Sequence, residues 1–419
     1  MAKLYHPTYI TAYLQGVKES VAECDVPVDP LLDVIALVDT APWDVAPLAD
    51  SPMDYEADWL ATRRAGLDLI VAMAAADVQF GDRSDQAWAL LYIAATDTAG
   101  ESWAPMDPLT RAINRDCTRA FDAAVPFVAS ELRADKPVRA EFIELLEFAL
   151  TRVGNDGEEY RAVVARRLGW LRHALPDWTD DNIGLLFGVD APPELAQLTV
   201  DLAIHWGAPN RWLFETAPEM VRSAVLRDTK QAVEHFMVAL LGDWPGYRFD
   251  DVVSFITQHH GDYPDLASKA GTRISHIVSD DNIEQRHIDT AVQLWETLLD
   301  STAASALGGF CWMHRAAALD DERWAQLTVR TIEKSHSGGR WRHGAIVRAM
   351  QVPVSRSKLA VLNAIVRRPL EQWERYHIGE HIGEVLDNAA DLEQTVEYQQ
   401  LDTALREHDM IRDEPKEDS

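Results

Sequence analysis

The chain has 419 residues, 47% of them hydrophobic, and carries 68 Asp and Glu against 39 Lys and Arg for a formal net charge of −29. That apolar fraction is enough for a packed core and excludes a wholly disordered polymer, and the length suits two or three compact domains or one long repeat array. The excess of acid repels phosphate, which disfavours nucleic acid as a ligand of the whole surface.

Tyr5, Tyr9 and Tyr13 recur at four-residue spacing, so a short helix is expected near the start. Pro30 opens the apolar run LLDVIALV, and Pro42, Pro47 and Pro52 break 41–53 into an irregular connection. A helix is predicted from Asp58 to Ala76, and Ser84 is read as the cap of the next, in which Trp88, Leu91, Tyr92 and Ala95 share a face. The strongest stretch runs from Asp107 to Phe187 and reads as three helices. Asp107 caps the first, with Pro108 at its first position and Leu109, Ile113, Cys117, Phe121 and Ala124 in one stripe. Pro137 is read as opening the second, with Val138, Phe142, Leu145, Leu146 and Ala149 apolar. Asn155-Asp156-Gly157 reads as a turn before the third, where Tyr160, Val164, Leu168, Leu171 and Leu175 align and Pro176 stops the helix.

Further helices are predicted at 195–206, 217–226, 231–241, 249–258, 266–278, 282–299, 322–334, 344–350, 356–366 and 379–389, and no run of β-branched residues alternates as a strand does. Thr179-Asp180-Asp181-Asn182-Ile183 resembles Ser279-Asp280-Asp281-Asn282-Ile283, with Asp320-Asp321-Glu322 as a looser copy. Helix caps with acidic first turns account for these better than a paired-Asp metal site. So many amphipathic helices on short connections predict an all-α fold, an irregular HEAT- or ARM-like α-solenoid of stacked antiparallel helix pairs, with a globular multi-helix bundle as the alternative. The expected division is residues 1–53, then a solenoid over 54–401 with a sub-boundary near 180–195, then an acidic, partly disordered tail over 402–419. Three scattered cysteines, Cys24, Cys117 and Cys311, make no disulfide framework; the N-terminus lacks a signal peptide's apolar run, and no apolar stretch approaches the roughly 20 residues of a membrane helix. A reduced, cytoplasmic chain away from the membrane is the expectation.

The order DPLTRAIN, RAF, an acidic helix, YRAVVARRLGWL, LPDW and LF resembles a helical region of large bacterial antiphage and conflict-system proteins. The likeness starts near Trp59-Leu60-Ala61-Thr62-Arg63-Arg64-Ala65 and runs past Trp206. In that family a helical array follows an effector such as a STAND-type NTPase or a SIR2-like domain. Where members carry a small-residue and Arg–Gly stretch after the central Asn, this chain has Arg115-Asp116-Cys117-Thr118-Arg119 after Asn114, keeping an Arg without the Gly. The resemblance implies a sensor or scaffold and no catalytic residue. The sequence has no phosphate loop and no dinucleotide fingerprint; Gly308-Gly309 and Gly338-Gly339 follow no strand.

Two stretches carry candidate chemistry. His377-Ile378-Gly379-Glu380-His381 matches the H-x-x-E-H pattern of inverted zinc peptidases, with His377 and His381 one helical turn apart, Glu380 as base and Glu384 as a third ligand. The competing account is a core stripe of Ile378, Ile382, Val385, Leu386 and Ala389, flanked by histidines. Between Cys311 and His377 basic residues outnumber acidic ones about two to one, densest at Arg340, Trp341, Arg342 and His343 and continuing to Arg348. This stretch is the weak candidate for holding an anion or docking a partner, against the plainer account of solvated helix faces. Cys311 and His314 fall near one another, without the second pair a zinc knuckle needs. Of the fourteen tryptophans, Trp206, Trp212 and Trp244 sit beside Pro or Gly turns and are expected nearest the surface. The expected function is non-catalytic: a helical scaffold or sensor that binds a protein partner (an effector, an NTPase or a phage protein) and uses no cofactor. A zinc metallopeptidase at 377–381 and a nucleic-acid-binding surface over 311–377 rank behind it.

Overall fold

The computed structural model describes residues 6–40, 58–98, 106–334, 340–368, 372–408 and 410. Every element among them is an α- or 3-10 helix, so the fold is all-α, with no strand among the described residues. None of the described helices is long and apolar enough to cross a membrane. The chain divides into two compact units, Met1–Gly207 and Ala208–Ser419.

Unit 1 runs α1 (Pro7–Ser20), α2 (Val28–Asp39), α3 (Trp59–Ala75), α4 (Ser84–Thr96), α5 (Pro108–Asn114), α6 (Asp116–Arg133), α7 (Ala140–Thr151), α8 (Gly154–Ala174), α9 (Pro176–Asp181), α10 (Ile183–Phe187) and α11 (Pro193–Trp206). Helix α3 packs on α1, α2 and α6; α6 packs also on α4 and α8; α8 carries α5, α7 and α11. Phe121, Phe127, Phe142 and Tyr160 fill the core between them. The Asp107 cap is present, its carboxylate accepting from the Thr110 amide at 3.1 Å. The helix it opens does not continue to Phe121, however. It ends at Asn114, because Arg115 is extended and its guanidinium is drawn to Glu159 at 2.8 Å and to the Thr98 carbonyl at 2.7 Å. The break leaves the Ala112 carbonyl without its helical donor, and the Thr118 hydroxyl donates to it at 2.6 Å.

Two other boundaries move. Helix α7 begins at Ala140 and not at Pro137, and Asn155-Asp156-Gly157 lies in the first turn of α8, not in a turn before it. The chain reverses at Gly154 (φ +62), and a Cβ on Gly157 would come 2.5 Å from the Arg152 carbonyl oxygen. Ser84 starts α4, but its hydroxyl donates to Glu131 at 2.7 Å and caps nothing.

Unit 2 runs α12 (Arg211–Thr216), α13 (Pro218–Leu226), α14 (Ala232–Leu241), α15 (Phe249–His259), α16 (Leu266–Ile277), α17 (Gln285–Leu299), a 3-10 helix (Gly308–Arg315), α18 (Asp321–Lys334), α19 (Arg340–Ala349), α20 (Arg356–Val366), α21 (Gln372–Asp387) and α22 (Val396–Glu407). Helix α14 packs on α16, α15 on α17, α16 on the 3-10 helix, that helix on α19, α18 on α20, and α20 on α22. At the crossing of α16 and the 3-10 helix two glycines face each other's elements. A Cβ on Gly271 would lie 2.5 Å from the Phe310 ring, and one on Gly309 would overlap the Ser268 carbonyl oxygen. Phe310 stacks on Trp295 of α17, centroids 5.5 Å apart.

Helices α12, α22 and the 3-10 segment were not expected from periodicity, and α22 continues past residue 402, where a tail was expected. The three Asp-rich copies behave differently. Thr179 lies inside α9 and donates to the Pro176 carbonyl, and Ser279 donates to the Ser275 carbonyl behind it. Asp320 alone of the three caps a helix, accepting from the Arg323 amide at 2.9 Å.

Candidate functional site

Arg340, Trp341, Arg342 and His343 form the first turn of α19; their side chains lie outside the described residues, as do Gly338 and Gly339. Arg348, from the same basic stretch, is only 4% exposed. It donates to Asp321 at 2.9 Å and to the carbonyls of Ala316 (3.1 Å) and Leu319, and lies 5.0 Å from the centre of the Trp324 ring. Lys358, also buried, reaches Asp321 at 3.0 Å and the Gln351 and Pro353 carbonyls. Burial works to raise the Asp321 carboxyl, but the hydrogen bonds from Arg348 and Lys358 prevail and hold it below its ordinary value. Arg356 pairs with Glu397 at 3.0 Å and Arg368 donates to the Ile332 carbonyl. Much of the local basic excess therefore ties helices of unit 2 together, and Arg348 belongs to its interior.

In α21 the side chains of His377 and Glu380 lie outside the described residues, while His381 and Glu384 are exposed. Ile378, Ile382, Val385 and Leu386 form its buried face, and Ala389 is buried just beyond its end. Among the described residues no three His, Cys, Asp or Glu gather as metal ligands would. His314 Nδ1 sits 2.8 Å from the Cys311 carbonyl oxygen, and burial pushes the Cys311 thiol up to about 12, so it stays protonated at neutral pH. Trp206 is 51% exposed and stacks on His205; Trp212 and Trp244 are half-buried.

A surface that the sequence reading did not single out lies beside α19. The 3-10 helix eclipses residues three apart, which sets Arg315 over Trp312 with its guanidinium carbon 4.5 Å from the indole centre. The His276 ring of α16 meets Trp312 edge-on at 5.1 Å, and His314 approaches it at 5.9 Å. Partial loss of water, then the charges of Arg315 and Arg273, hold His276 below its ordinary value. Arg273 is shared with Glu234 at 3.5 Å. Arg315 is exposed and has no carboxylate partner among the described residues. The first turn of α19 arrives at the same place, since a Cβ on Gly344 would overlap the His314 ring. Two guanidiniums, the His276 imidazole and an indole thus meet at one edge of unit 2, with Glu234 beside Arg273. The Trp-x-x-Arg spacing was the signal for it, but only for a reader who knew the segment to be a 3-10 helix.

Unit 1 gathers charge differently. Glu159, 0% exposed, accepts from Arg115 and pairs with Arg111 at 3.3 Å; Glu158 and Asp156 complete the network from the first turns of α8. The fully buried Arg161 has no carboxylate. It donates to the carbonyls of Leu150 (3.1 Å), Leu185 (2.8 Å) and Leu186 (3.3 Å), the negative ends of α7 and α10, and its burial lowers its pKa. These arginines join helices. Two grooves lie among the described residues apart from these clusters. One, of about 730 Å³ between α13 and α15, has charges of both signs, with Arg222 already on Glu219 at 2.8 Å; the other, of about 460 Å³ in unit 1, mixes Leu60, Leu67 and Ile93 with Arg63 and Arg64. No protein-family model, curated protein or solved structure matches the chain.

Proposed function

We propose that this chain is a non-catalytic helical-repeat scaffold or sensor, an irregular HEAT- or ARM-like array of stacked helix pairs. Its role is to bind a protein partner in a bacterial antiviral defence assembly, in the cytoplasm. The observation that carries the reading is the packing order of unit 2, where successive helices rest on their second neighbours (α14 on α16, α15 on α17, α18 on α20, α20 on α22). In such stacking each pair covers the apolar stripe of the next, and a row of helix edges is left for a partner. The defence setting draws on the resemblance of the stretch from Asp107 to Phe187. That stretch forms α5 to α10, bound together by Arg111, Arg115 and Arg161, as a docking framework requires. Exposed Arg315, laid over half-buried Trp312, supplies the residue types that anchor protein interfaces.

The test is affinity purification of the tagged full chain from its native host, with partner identification and metal analysis on the same sample. A stoichiometric partner bearing an NTPase, nuclease or SIR2-like domain is the expected result. A partner-free chain carrying one zinc per molecule overturns the reading and turns attention to His377, Glu380 and His381.

A further inference from the structure

We propose that the groove between α13 and α15 takes a short, extended, basic segment of a protein partner. Apolar side chains of that segment rest on Leu226 and Tyr263, and its lysines or arginines meet carboxylates on either side. The proposal deepens the partner-binding reading and rests on it. It starts from a gap in the stacking of unit 2. Second neighbours pack on one another from α14 to α16 and from α15 to α17, but α13 makes no comparable contact with α15. The space left between them is the groove of about 730 Å³, within the size range of ligand sites. A further hollow of about 230 Å³ shares Leu226 and Tyr263 with it and reaches the start of α16. Tyr263 is 38% exposed and Leu226 is half-buried, so apolar surface is open to a ligand where the two hollows join.

The charges on either side decide the sign of the occupant. Glu219, Asp250 and Asp251 line the larger hollow and Asp228, Asp262 and Asp265 the smaller, against Arg222, Arg227 and Lys269. Arg222 pairs with Glu219 at 2.8 Å and Lys269 with Asp228 at 2.7 Å. Asp251 accepts from the Arg248 amide at 3.1 Å in the cap of α15. Asp250, Asp262 and Asp265 are exposed and hold no cation among the described residues; Asp265 stands at the N-cap position of α16 without a side-chain cap. Elsewhere in the unit Glu296, Asp300, Asp321 and Glu397 are already taken by arginine or lysine. From Asp250 to His259 the helix rises about 13 Å, which about four extended residues span. A peptide with cations at both ends and two apolar residues between them therefore matches the groove in charge and in length. A polynucleotide is repelled by this lining, and so is a second copy of a chain whose net charge is −29. A polyamine matches the charge but leaves the apolar surface wet.

The test uses the full chain and two fluorescein-labelled hexapeptides, each with a pair of lysines at both ends. One has leucine and phenylalanine in the middle, the other two glycines. Anisotropy is read at physiological salt, where attraction to the overall charge of the chain is screened beyond about 8 Å. The leucine–phenylalanine peptide is expected to bind about tenfold more tightly than the diglycine peptide. Tyr263→Ala is expected to weaken it about fivefold, and Asp250→Asn combined with Asp262→Asn about tenfold. Glu144→Gln, at an exposed carboxylate on α7, is expected to leave binding unchanged. All these positions are exposed, so the variants are expected to fold; circular dichroism and the melting temperature check this. Absence of binding overturns the proposal, as does equal affinity for the two peptides or equal weakening by Glu144→Gln. Displacement of the leucine–phenylalanine peptide by an equimolar amount of spermidine overturns it too, and makes the groove a polyamine site. The two readings fail separately. A native complex that survives Asp250→Asn with Asp262→Asn intact removes this site and leaves the scaffold standing. Peptide binding through Tyr263 and Asp262 in a chain that purifies without a partner keeps the site and removes the scaffold.

Discussion

His235 shows what burial alone does to one side chain. It lies in α14, 3% exposed, and burial lowers its pKa from 6.5 to about 4. The folded value is below the unfolded one, so the unfolded chain takes up the proton first as pH falls. Stability is therefore full above about pH 6.5, declines as pH drops toward 4, and loses no more on this account below that. A shift of this size corresponds to about 3 kcal/mol. Urea unfolding of the native chain and of His235→Leu between pH 7 and 4 should show the native protein losing about 3 kcal/mol more than the variant. Carboxylates common to both cancel in the comparison, and parallel losses would show that His235 is already neutral in the unfolded chain or protonated in the folded one. At this scale the sequence is readable where the cause is local. Asp107 followed by Pro108 is a cap because its partner is three residues on. Arg348 is opaque because its fate is decided by carbonyls at 316 and 319 and a carboxylate at 321, which only folding brings to it.

Element by element, periodicity located helices well and their ends less so. The helix over 356–366 matches α20 at both limits, since Ser355 accepts from the Lys358 amide and stops ambiguity at its start. The stripe through Leu109 and Phe121 was taken as one helix because spacing of four and three continues across Arg115; the ion pair that breaks it involves Glu159, forty-four residues away. The glycine crossing of α16 was hidden for a related reason, as Gly308-Gly309 looks like any turn until Ser268 is set against it. The atom that a methyl at 309 would meet is backbone, which cannot swing aside. Gly309→Ala is therefore expected to cost about 3 kcal/mol, and to disturb the Trp312 edge on the same segment. Gly383→Ala is the control: it lies inside α21 with nothing within 4 Å of the added Cβ, and helix propensity should stabilise it by up to about 1 kcal/mol. Chemical denaturation of the two variants reads the contrast directly. A Gly309→Ala protein as stable as the native chain would mean that the crossing is looser than described.

Across the whole molecule, the sequence reading expected an array from 54 to 401 with a sub-boundary near 180–195, and the chain forms two compact units, Met1–Gly207 and Ala208–Ser419. Hydrophobic spacing has a range of one or two turns and carries no information about which helices share a core. Composition differs between the units in a way that the net charge conceals. Unit 1 has 16 Lys and Arg against 34 Asp and Glu, and unit 2 has 23 against 34. Each unit has its own buried aromatic centre, Phe121, Phe142 and Tyr160 in the first and Trp295, Phe310 and Trp324 in the second. A segment with a complete core and more than 200 residues is in the size range that folds alone. Residues 208–419 expressed by themselves are therefore expected to unfold in one cooperative transition. A fragment that is helical but melts without cooperativity would show that its core is completed by residues before 208.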